Sequence, residues 1–290
     1  MADTCAQGLD SSFVGLGYAK VALLGVVQGI TELMPISSSA HMRLVPSLLG
    51  WPDPGAAFSA SMQLAALAAV VTYFWGDVSS LTSGSITALM RGDLRDRRLQ
   101  LVFWIALSTV PIVVSGLALS SILNACNSPL RNLYVIGASS IVMASLLAMA
   151  EVTAQHVRSL RDVKLSDAMI IGLAQVGALI PGVSRSGSTL TAALFLGLRR
   201  EEAARFSFLL GVPAITLAGV KELWELHKVH LDAYGWSVLA VGLTTGSIAA
   251  FFAIWGLLRV LERYSSWPFV FYRGFIGGVL VVGTATGLFT

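Results

Sequence analysis

Two polar stretches interrupt an otherwise apolar sequence and hold most of the side chains that are able to do chemistry. The first runs from Gln28 to His41 and reads QGITELMPISSSAH. The second covers residues 181–189 and reads PGVSRSGST. Residues 168–183 and 186–198 carry no charge, so Arg185 stands alone in a region where an unpaired charge costs several kcal/mol or more. This arginine therefore needs an anion, a carboxylate or water beside it.

The second stretch has the composition of an anion site. Pro181 and Gly182 are expected to stop the preceding helix, and the hydroxyl residues around Arg185 suit the start of the next one. Free backbone N–H groups, the positive end of a helix dipole, hydroxyl donors and a guanidinium together bind anions, most naturally phosphate. The sequence therefore predicts a phosphate site around Arg185.

The first stretch places an acid and a histidine in a second break. Gln28 and Glu32 are four residues apart, so both side chains project from one helical face. Pro35 ends or kinks that helix, the serines after it can cap the next one, and His41 lies about one turn further on. Simpler interpretations exist for each residue. Glu32 would form an ion pair that serves only helix packing, with Lys20, Arg43 or Arg185 as its partner. His41 would be a neutral histidine bonded to a carbonyl.

These residue types together fit phosphoryl transfer, which needs a cation for the phosphate oxygens, an oriented nucleophile, and a proton donor or metal for the leaving group. Arg185 and a helix N-terminus supply the cation. His41 or one of the serines is expected to be the nucleophile, or a base that activates water. Glu32, with Gln28, offers the hard oxygen ligands that suit Mg²⁺ or Ca²⁺. Zinc is disfavoured, because Cys5 and Cys126 do not form a cluster with histidines.

Composition places this chemistry in a membrane. The chain has 290 residues, of which 55% are hydrophobic and only 12% are charged, whereas soluble domains are roughly 25% charged. Its net charge of +3 is dispersed among loops, which suggests the positive-inside rule rather than nucleic-acid binding. We therefore expect a multi-pass, all-α membrane protein that forms one domain over residues 1–290.

Charge-free segments predict the order of the elements. Each half should hold one broken pair of short helices followed by three spanning helices. The predicted pairs are 12–34 with 36–50, and 166–180 with 186–198. The predicted spans are 57–75, 99–121 and 132–150 in the first half, and 206–224, 233–258 and 268–288 in the second. The intervening segments 76–98, 151–164, 199–205 and 259–263 are predicted as loops or turns.

The two halves also resemble each other in sequence. A shift of 147 positions places Gln28 on Gln175, Ser37 on Ser184 and Ser39 on Ser186. Repeat one would cover about residues 12–150 and repeat two about 166–290, joined by a cytoplasmic loop at 151–165. Three spans is an odd number, so the second half must have inverted topology, with one re-entrant broken pair in each half. Such repeats build a site where their broken helices meet near the midplane.

The residues of both stretches resemble the undecaprenyl-diphosphate phosphatase family, the bacitracin-resistance type of integral membrane phosphatase. One family motif is (Glu/Gln)-x-x-x-Glu followed by Pro-x-Ser-Ser-x-x-His, and the other is Pro-Gly-x-Ser-Arg-Ser-x-x-Thr. The matching residues are Gln28, Glu32, Pro35, Ser37, Ser38 and His41 for the first, and Pro181, Gly182, Ser184, Arg185, Ser186 and Thr189 for the second. Gln28 stands where many members have Glu, which puts a mechanism with two carboxylates in doubt.

The resemblance implies that the chain hydrolyses undecaprenyl diphosphate to undecaprenyl phosphate and inorganic phosphate. It also implies bacitracin resistance, a divalent metal held by Glu32 and Gln28, and a place in the bacterial inner membrane with the site facing the periplasm. By the same resemblance, Arg185 would bind the diphosphate, and Ser38 or His41 would be the nucleophile or its base. The expected phosphate contacts are Ser37, Ser184, Ser186 and Thr189. The expected partners are the polyprenyl diphosphate lipid and the bilayer, and a homodimer is left open.

A transporter or flippase is the main alternative, because inverted repeats with broken helices are also a transporter architecture. Pure transport does not require a nucleophile beside an arginine anion site. A second family of lipid phosphatases uses a catalytic histidine soon after its arginine, and no histidine follows Arg185 at short range.

Overall fold

The protein is built of α-helices throughout the part described by its computed structural model, which comprises residues 12–123, 130, 132–228 and 231–287. No β-strand occurs in these residues apart from one isolated bridge between Arg158 and Leu198. In chain order the helices are α1 (Gly17–Leu33), α2 (Ser38–Leu48), α3 (Ala56–Ser61), α4 (Gln63–Tyr73), α5 (Trp75–Met90), α6 (Arg97–Ala118), α7 (Ser120–Leu123), α8 (Leu133–Thr153), α9 (Leu165–Val176), α10 (Arg185–Phe195), α11 (Arg200–Lys228), α12 (Ala233–Arg263) and α13 (Trp267–Ala285). The predicted all-α class is confirmed. Cys5 and Cys126 lie outside the described residues.

Several of these helices are long and apolar enough to cross a bilayer. Six segments in the described chain meet this test by length and composition: Ser12–Leu33, Arg97–Ala118, Leu133–Thr153, Arg200–Lys228, Ala233–Arg263 and Trp267–Ala285. A seventh would be the pair Phe58–Tyr73 and Trp75–Met90, which is bent by 78°. The chain is thus a multi-pass membrane protein. The segment Ser12–Leu33 was predicted as one of the two short helices of a broken pair, but it is long enough for a full membrane span.

Three segments predicted as loops or turns are helical, so those predictions were wrong. Most of 76–98 is α5. The Thr82, Ser83 and Thr87 hydroxyls each donate to the carbonyl four residues earlier, so several of its polar side chains are satisfied within the helix. Most of 199–205 belongs to α11, and all of 259–263 belongs to α12. Their charges suit the helix ends, with acidic residues in the first turn of α11 and Arg263 in the last turn of α12.

The span predicted over 57–75 corresponds to Phe58–Tyr73, which meets the test for a membrane span only together with Trp75–Met90 beyond the bend at Phe74. The start of α6 follows the ordinary capping rule. The Asp96 carboxylate accepts hydrogen bonds from the backbone N–H groups of Arg98 and Leu99. A further hydrogen bond from the Arg98 side chain lowers the pKa of Asp96.

Both predicted breaks are present, and they share an uncommon backbone conformation. Ser37 separates α1 from α2 with φ of 70°, and Ser184 precedes α10 with φ of 68°. A non-glycine residue in this region costs on the order of 1–3 kcal/mol, and such strain concentrates at functional sites. Leu33 and Ile36 beside the first break, and Leu190 in α10, belong to the largest buried apolar cluster of the described chain.

Close helix contacts at glycine relate the two halves. A Cβ on Gly25 of α1 would lie 2.5 Å from the Gly242 carbonyl oxygen of α12. A Cβ on Gly172 of α9, the position related to Gly25 by the 147-residue shift, would lie 2.4 Å from the Ser108 carbonyl oxygen of α6. Each broken pair therefore packs against a long helix of the opposite half through small residues. These matched contacts support the predicted repeat, and the inverted orientation of its halves stays a prediction.

Candidate active site

The carboxylate of Glu32 lies at the centre of the first break. It is buried in the last turn of α1, with 6% of the residue exposed. Its Oε2 accepts a hydrogen bond of 2.9 Å from Gln28 Nε2, one turn earlier on the same face, and one of 2.6 Å from Ser38 Oγ at the start of α2. The expected pairing of Gln28 with Glu32 on one helical face is present. The break brings Ser38 next to the face of α1 that carries Gln28 and Glu32.

Arg185 reaches the same carboxylate from the other half of the chain. Its Nη2 lies 3.3 Å from Glu32 Oε1. Its Nη1 is buried and has no hydrogen-bond partner among the described residues. Gly211 in α11 makes room for this nitrogen, because a Cβ there would lie 2.0 Å from it. One expected role for this ion pair was to stabilise helix packing alone. The pair nevertheless leaves Arg185 Nη1 buried without an acceptor among the described residues.

Hydroxyl groups tie the two breaks together. Ser186 Oγ donates to the backbone carbonyls of Glu32 and Met34, at 3.1 Å each. In the opposite direction, the Gly182 N–H donates to Ser39 Oγ at 3.3 Å. These bonds therefore join residues 32–39 around the first break to residues 182–186 around the second.

His41 engages other groups than the carboxylate. Its Nδ1 lies 2.8 Å from the Ser37 carbonyl oxygen, and its Nε2 lies 2.7 Å from the hydroxyl of Tyr272 in α13. A carbonyl oxygen only accepts, so Nδ1 carries the proton and Nε2 accepts from Tyr272. The two rings are nearly parallel, with centroids 5.6 Å apart. His41 thus supports the strained Ser37 peptide, and its catalytic role stays a prediction.

The other predicted phosphate contacts have partners within the protein. Ser184 Oγ caps α10 by accepting from the Gly187 N–H at 3.1 Å, and Thr189 Oγ1 donates to the Arg185 carbonyl at 2.8 Å. Ser37 Oγ lies 3.1 Å from Ser39 Oγ. The structure places these hydroxyls around the two breaks, and their contact with phosphate stays a prediction.

The residues predicted to bind a metal have a suitable donor set. Gln28 Oε1 is buried and lacks a hydrogen-bond partner among the described residues. The amide nitrogen of the same side chain donates to the Glu32 carboxylate. Amide and carboxylate oxygens are ligands that Mg²⁺ and Ca²⁺ prefer. No cluster of three or more His, Cys, Asp or Glu side chains with metal-binding geometry is found in the described chain. The other ligands would therefore come from the diphosphate, hydroxyls or water.

Two residues at the site were missed in the sequence. Tyr272 and Arg273 lie next to each other in α13, and Arg273 hydrogen bonds to backbone carbonyls of both breaks. Arg273 carried a usable signal, because it is a lone charge in the apolar segment 268–288, as Arg185 is in its own segment. Tyr272 carried no comparable signal, since aromatic residues are common in such helices.

Comparison with known proteins decides the family. The sequence model of one protein family, described as bacitracin resistance protein BacA, matches residues 21–279 of this chain. The chain belongs to this family. The curated relatives include "Undecaprenyl-diphosphatase 2" of Mesorhizobium japonicum, which is 69% identical over 261 residues, covering 90% of this chain and 99% of the relative. The "Undecaprenyl-diphosphatase" of Gloeobacter violaceus is 49% identical over 94% of both chains. That of Synechococcus elongatus is 48% identical over 92% of this chain and 93% of its own.

Both sequence motifs fall inside the region that this BacA family model matches. The recognition made from these motifs is confirmed. In this BacA family member the two motifs, some 150 positions apart, meet at one carboxylate.

Proposed function

We propose that the chain hydrolyses undecaprenyl diphosphate to undecaprenyl phosphate and inorganic phosphate. One observation supports this proposal: the Glu32 carboxylate contacts the Ser38 hydroxyl from one break and the Arg185 guanidinium from the other. The names of the relatives support the same activity.

Ser38 is the attacking group in this proposal, because its Oγ already donates to Glu32 Oε2. Ser38 Oγ attacks the terminal phosphorus, and its proton passes to Glu32. The bond from that phosphorus to the bridging oxygen breaks, and undecaprenyl phosphate leaves with the bridging oxygen. Water then hydrolyses the phosphoserine, which releases phosphate and restores the Ser38 hydroxyl.

Arg185 holds the phosphate oxygens in both steps. Its Nη1 is the unused donor, and Nη2 is shared with Glu32. Because the guanidinium is buried, its interaction with the developing charge is stronger than it would be in water. Glu32 and Gln28 would hold a divalent cation, which neutralises charge on the diphosphate when it is bound.

The biological consequences follow from the chemistry. Hydrolysis regenerates the monophosphate lipid carrier used for cell-wall polymers, and it removes the diphosphate lipid that bacitracin sequesters. We place the protein in the bacterial inner membrane with the site open to the periplasm. The bacterial origin of the relatives and the apolar helices support this placement.

Phosphate release by the purified protein tests the proposal. Wild-type protein in detergent is expected to release phosphate from undecaprenyl diphosphate. Ser38→Ala should lower kcat by about 10²–10⁴-fold or more, since the attacking group is lost. Ser47→Ala, a change at an exposed serine of the same helix, is the matched control and should leave kcat unchanged. Wild-type rates in Ser38→Ala would reject Ser38 as nucleophile, and no release by the wild type would reject the function.

A further inference from the structure

Arg273 is a buried cation with no carboxylate partner. Only 1% of the residue is exposed, and it forms no ion pair with the described part of the chain. All of its hydrogen bonds go to backbone carbonyls. Nη1 donates to Pro35 at 3.0 Å, Nε to Ser140 at 3.2 Å, and Nη2 to Gly182 and Val183.

The positions of these carbonyls are informative. Pro35 lies two residues before Ser37, while Gly182 and Val183 immediately precede Ser184. Ser37 and Ser184 are the two strained residues that open α2 and α10. One guanidinium therefore bonds to the backbone of both breaks, just ahead of Ser38 on one side and Arg185 on the other.

Packing alone does not account for an arginine here. Burying a charge without a counter-ion is unfavourable, and an apolar side chain of similar volume would fill the same space. The planar fork of a guanidinium, in contrast, directs several donors at carbonyls in a fixed relative geometry. The chain also leaves room for it, since a Cβ on Gly187 would lie 2.5 Å from Arg273 Nη1.

We propose that Arg273 is a positioning residue that fixes the two breaks relative to each other, so that Ser38, Glu32 and Arg185 converge on the diphosphate. This inference rests on the proposed hydrolysis. Arg273 acts through the backbone of both breaks, and it does not touch the reacting atoms. Small displacements of catalytic groups lower the rate of the chemical step more than they weaken binding of the substrate.

Substitution by lysine is the main test, because it keeps the charge and removes the fork. In Arg273→Lys we expect kcat for phosphate release to fall by about 10²-fold, while KM stays within about threefold of wild type and the melting temperature is retained. Hydrogen–deuterium exchange should speed up at the backbone of residues 34–41 and 181–189. Arg259→Lys, the same change at an exposed arginine of α12, is the matched control and should leave all of these quantities unchanged.

Gly187→Ala provides a second variant that keeps Arg273. Its new Cβ would lie 2.5 Å from Arg273 Nη1 and 3.2 Å from Ser184 Cβ, so the closer clash is with the guanidinium, and kcat should fall with little change in KM. If Arg273→Lys does not fold, kcat and hydrogen–deuterium exchange of Gly187→Ala test the positioning role instead. Wild-type kcat and exchange in the folded variants would overturn the positioning role. A loss of activity that only parallels a lower folded fraction would also overturn it, because that is the behaviour of a purely structural residue. Absence of hydrolysis by the wild type would instead reject the proposed function, and the exchange measurement would still report on Arg273.

Discussion

At the scale of single residues, the proposed chemistry depends on the Glu32 carboxylate, which Ser38 and Arg185 both contact. Glu32 Oε2 accepts from Ser38, and Oε1 faces Arg185. The Arg185 guanidinium is the counter-charge of this buried carboxylate, and Oε2 is placed to take the proton of the Ser38 hydroxyl. Gln28 adds a hydrogen bond to this group without adding a second charge.

We expect the reaction to need a divalent cation at Glu32 and Gln28. EDTA should abolish phosphate release by the purified protein, and Mg²⁺ or Ca²⁺ should restore it, because oxygen ligands favour these ions. Gln28→Ala should raise the metal concentration for half-maximal rate by about 10-fold or more. Gln155→Ala, at an exposed glutamine after α8, is the control. Full activity in EDTA would contradict the metal assignment.

Much of the site was predictable at this scale because its residues stand out by type. Glu32 and Arg185 are isolated charges in apolar sequence, and the 147-residue repeat indicated how they could meet. The partner of His41 was not predictable, because Tyr272 is 231 positions away and belongs to no motif. Residue types alone did not rank Ser37, Ser38 and Ser39, because the fold of the break determines which hydroxyl points at Glu32. Only the family resemblance singled out Ser38.

At the scale of elements, each broken pair is held by close contact with a long helix. On α1, a Cβ at Gly29 would lie 2.2 Å from the Gly246 carbonyl oxygen and 2.9 Å from the Ala250 nitrogen of α12. These are backbone atoms, so the helices themselves would have to separate. Gly29 lies one turn before the Glu32 side chain, and this contact therefore also sets the position of the carboxylate.

We expect Gly29→Ala to destabilise the protein by about 1–3 kcal/mol, the usual cost of overpacking. Its melting temperature in detergent should fall, and phosphate release should fall with it. Gly256→Ala in α12 is the matched control, because a Cβ there has no neighbour within 4 Å in the described structure. Equal melting temperatures for the two variants would show that the α1–α12 contact is looser than described.

Elements were harder to predict where polar residues occur inside helices. The segment 76–98, with four arginines near its end, was predicted as a loop, and its first part, which forms α5, is rich in serine and threonine. Intrahelical hydrogen bonds from Thr82, Ser83 and Thr87 satisfy those hydroxyls instead. The charged ends of α11 and α12 were taken for turns for a related reason, since charge marks the end of a membrane segment but does not end a helix.

At the scale of the whole molecule, the two halves contribute complementary parts of one site. The first half supplies the Glu32 carboxylate and the proposed nucleophile Ser38, and the second supplies Arg185 and the capped start of α10. Ser37 and Ser184 adopt matching conformations at equivalent positions. At the position related to Glu32 by the 147-residue shift the second half has Leu179, so the predicted repeat is asymmetric in chemistry.

Inverted topology makes a testable prediction about sidedness. Single cysteines replacing exposed Pro52 and Gln155, in a background without native cysteines, should react with a membrane-impermeant maleimide from opposite sides. We expect position 52 to be labelled from the periplasm and position 155 only after the cytoplasmic side is opened, because the basic loop at 151–165 should remain inside. Labelling of both positions from the same side would contradict the inverted repeat.

The most direct test of the central claim is a double-mutant cycle across the two halves. Glu32→Gln and Arg185→Gln should each lower phosphate release from undecaprenyl diphosphate by about 10²–10⁴-fold. If the two residues act as a unit, the double variant should lose little more than the more severe single variant. Losses that multiply in the double variant, or wild-type release by Arg185→Gln, would show that the two halves do not form one active site.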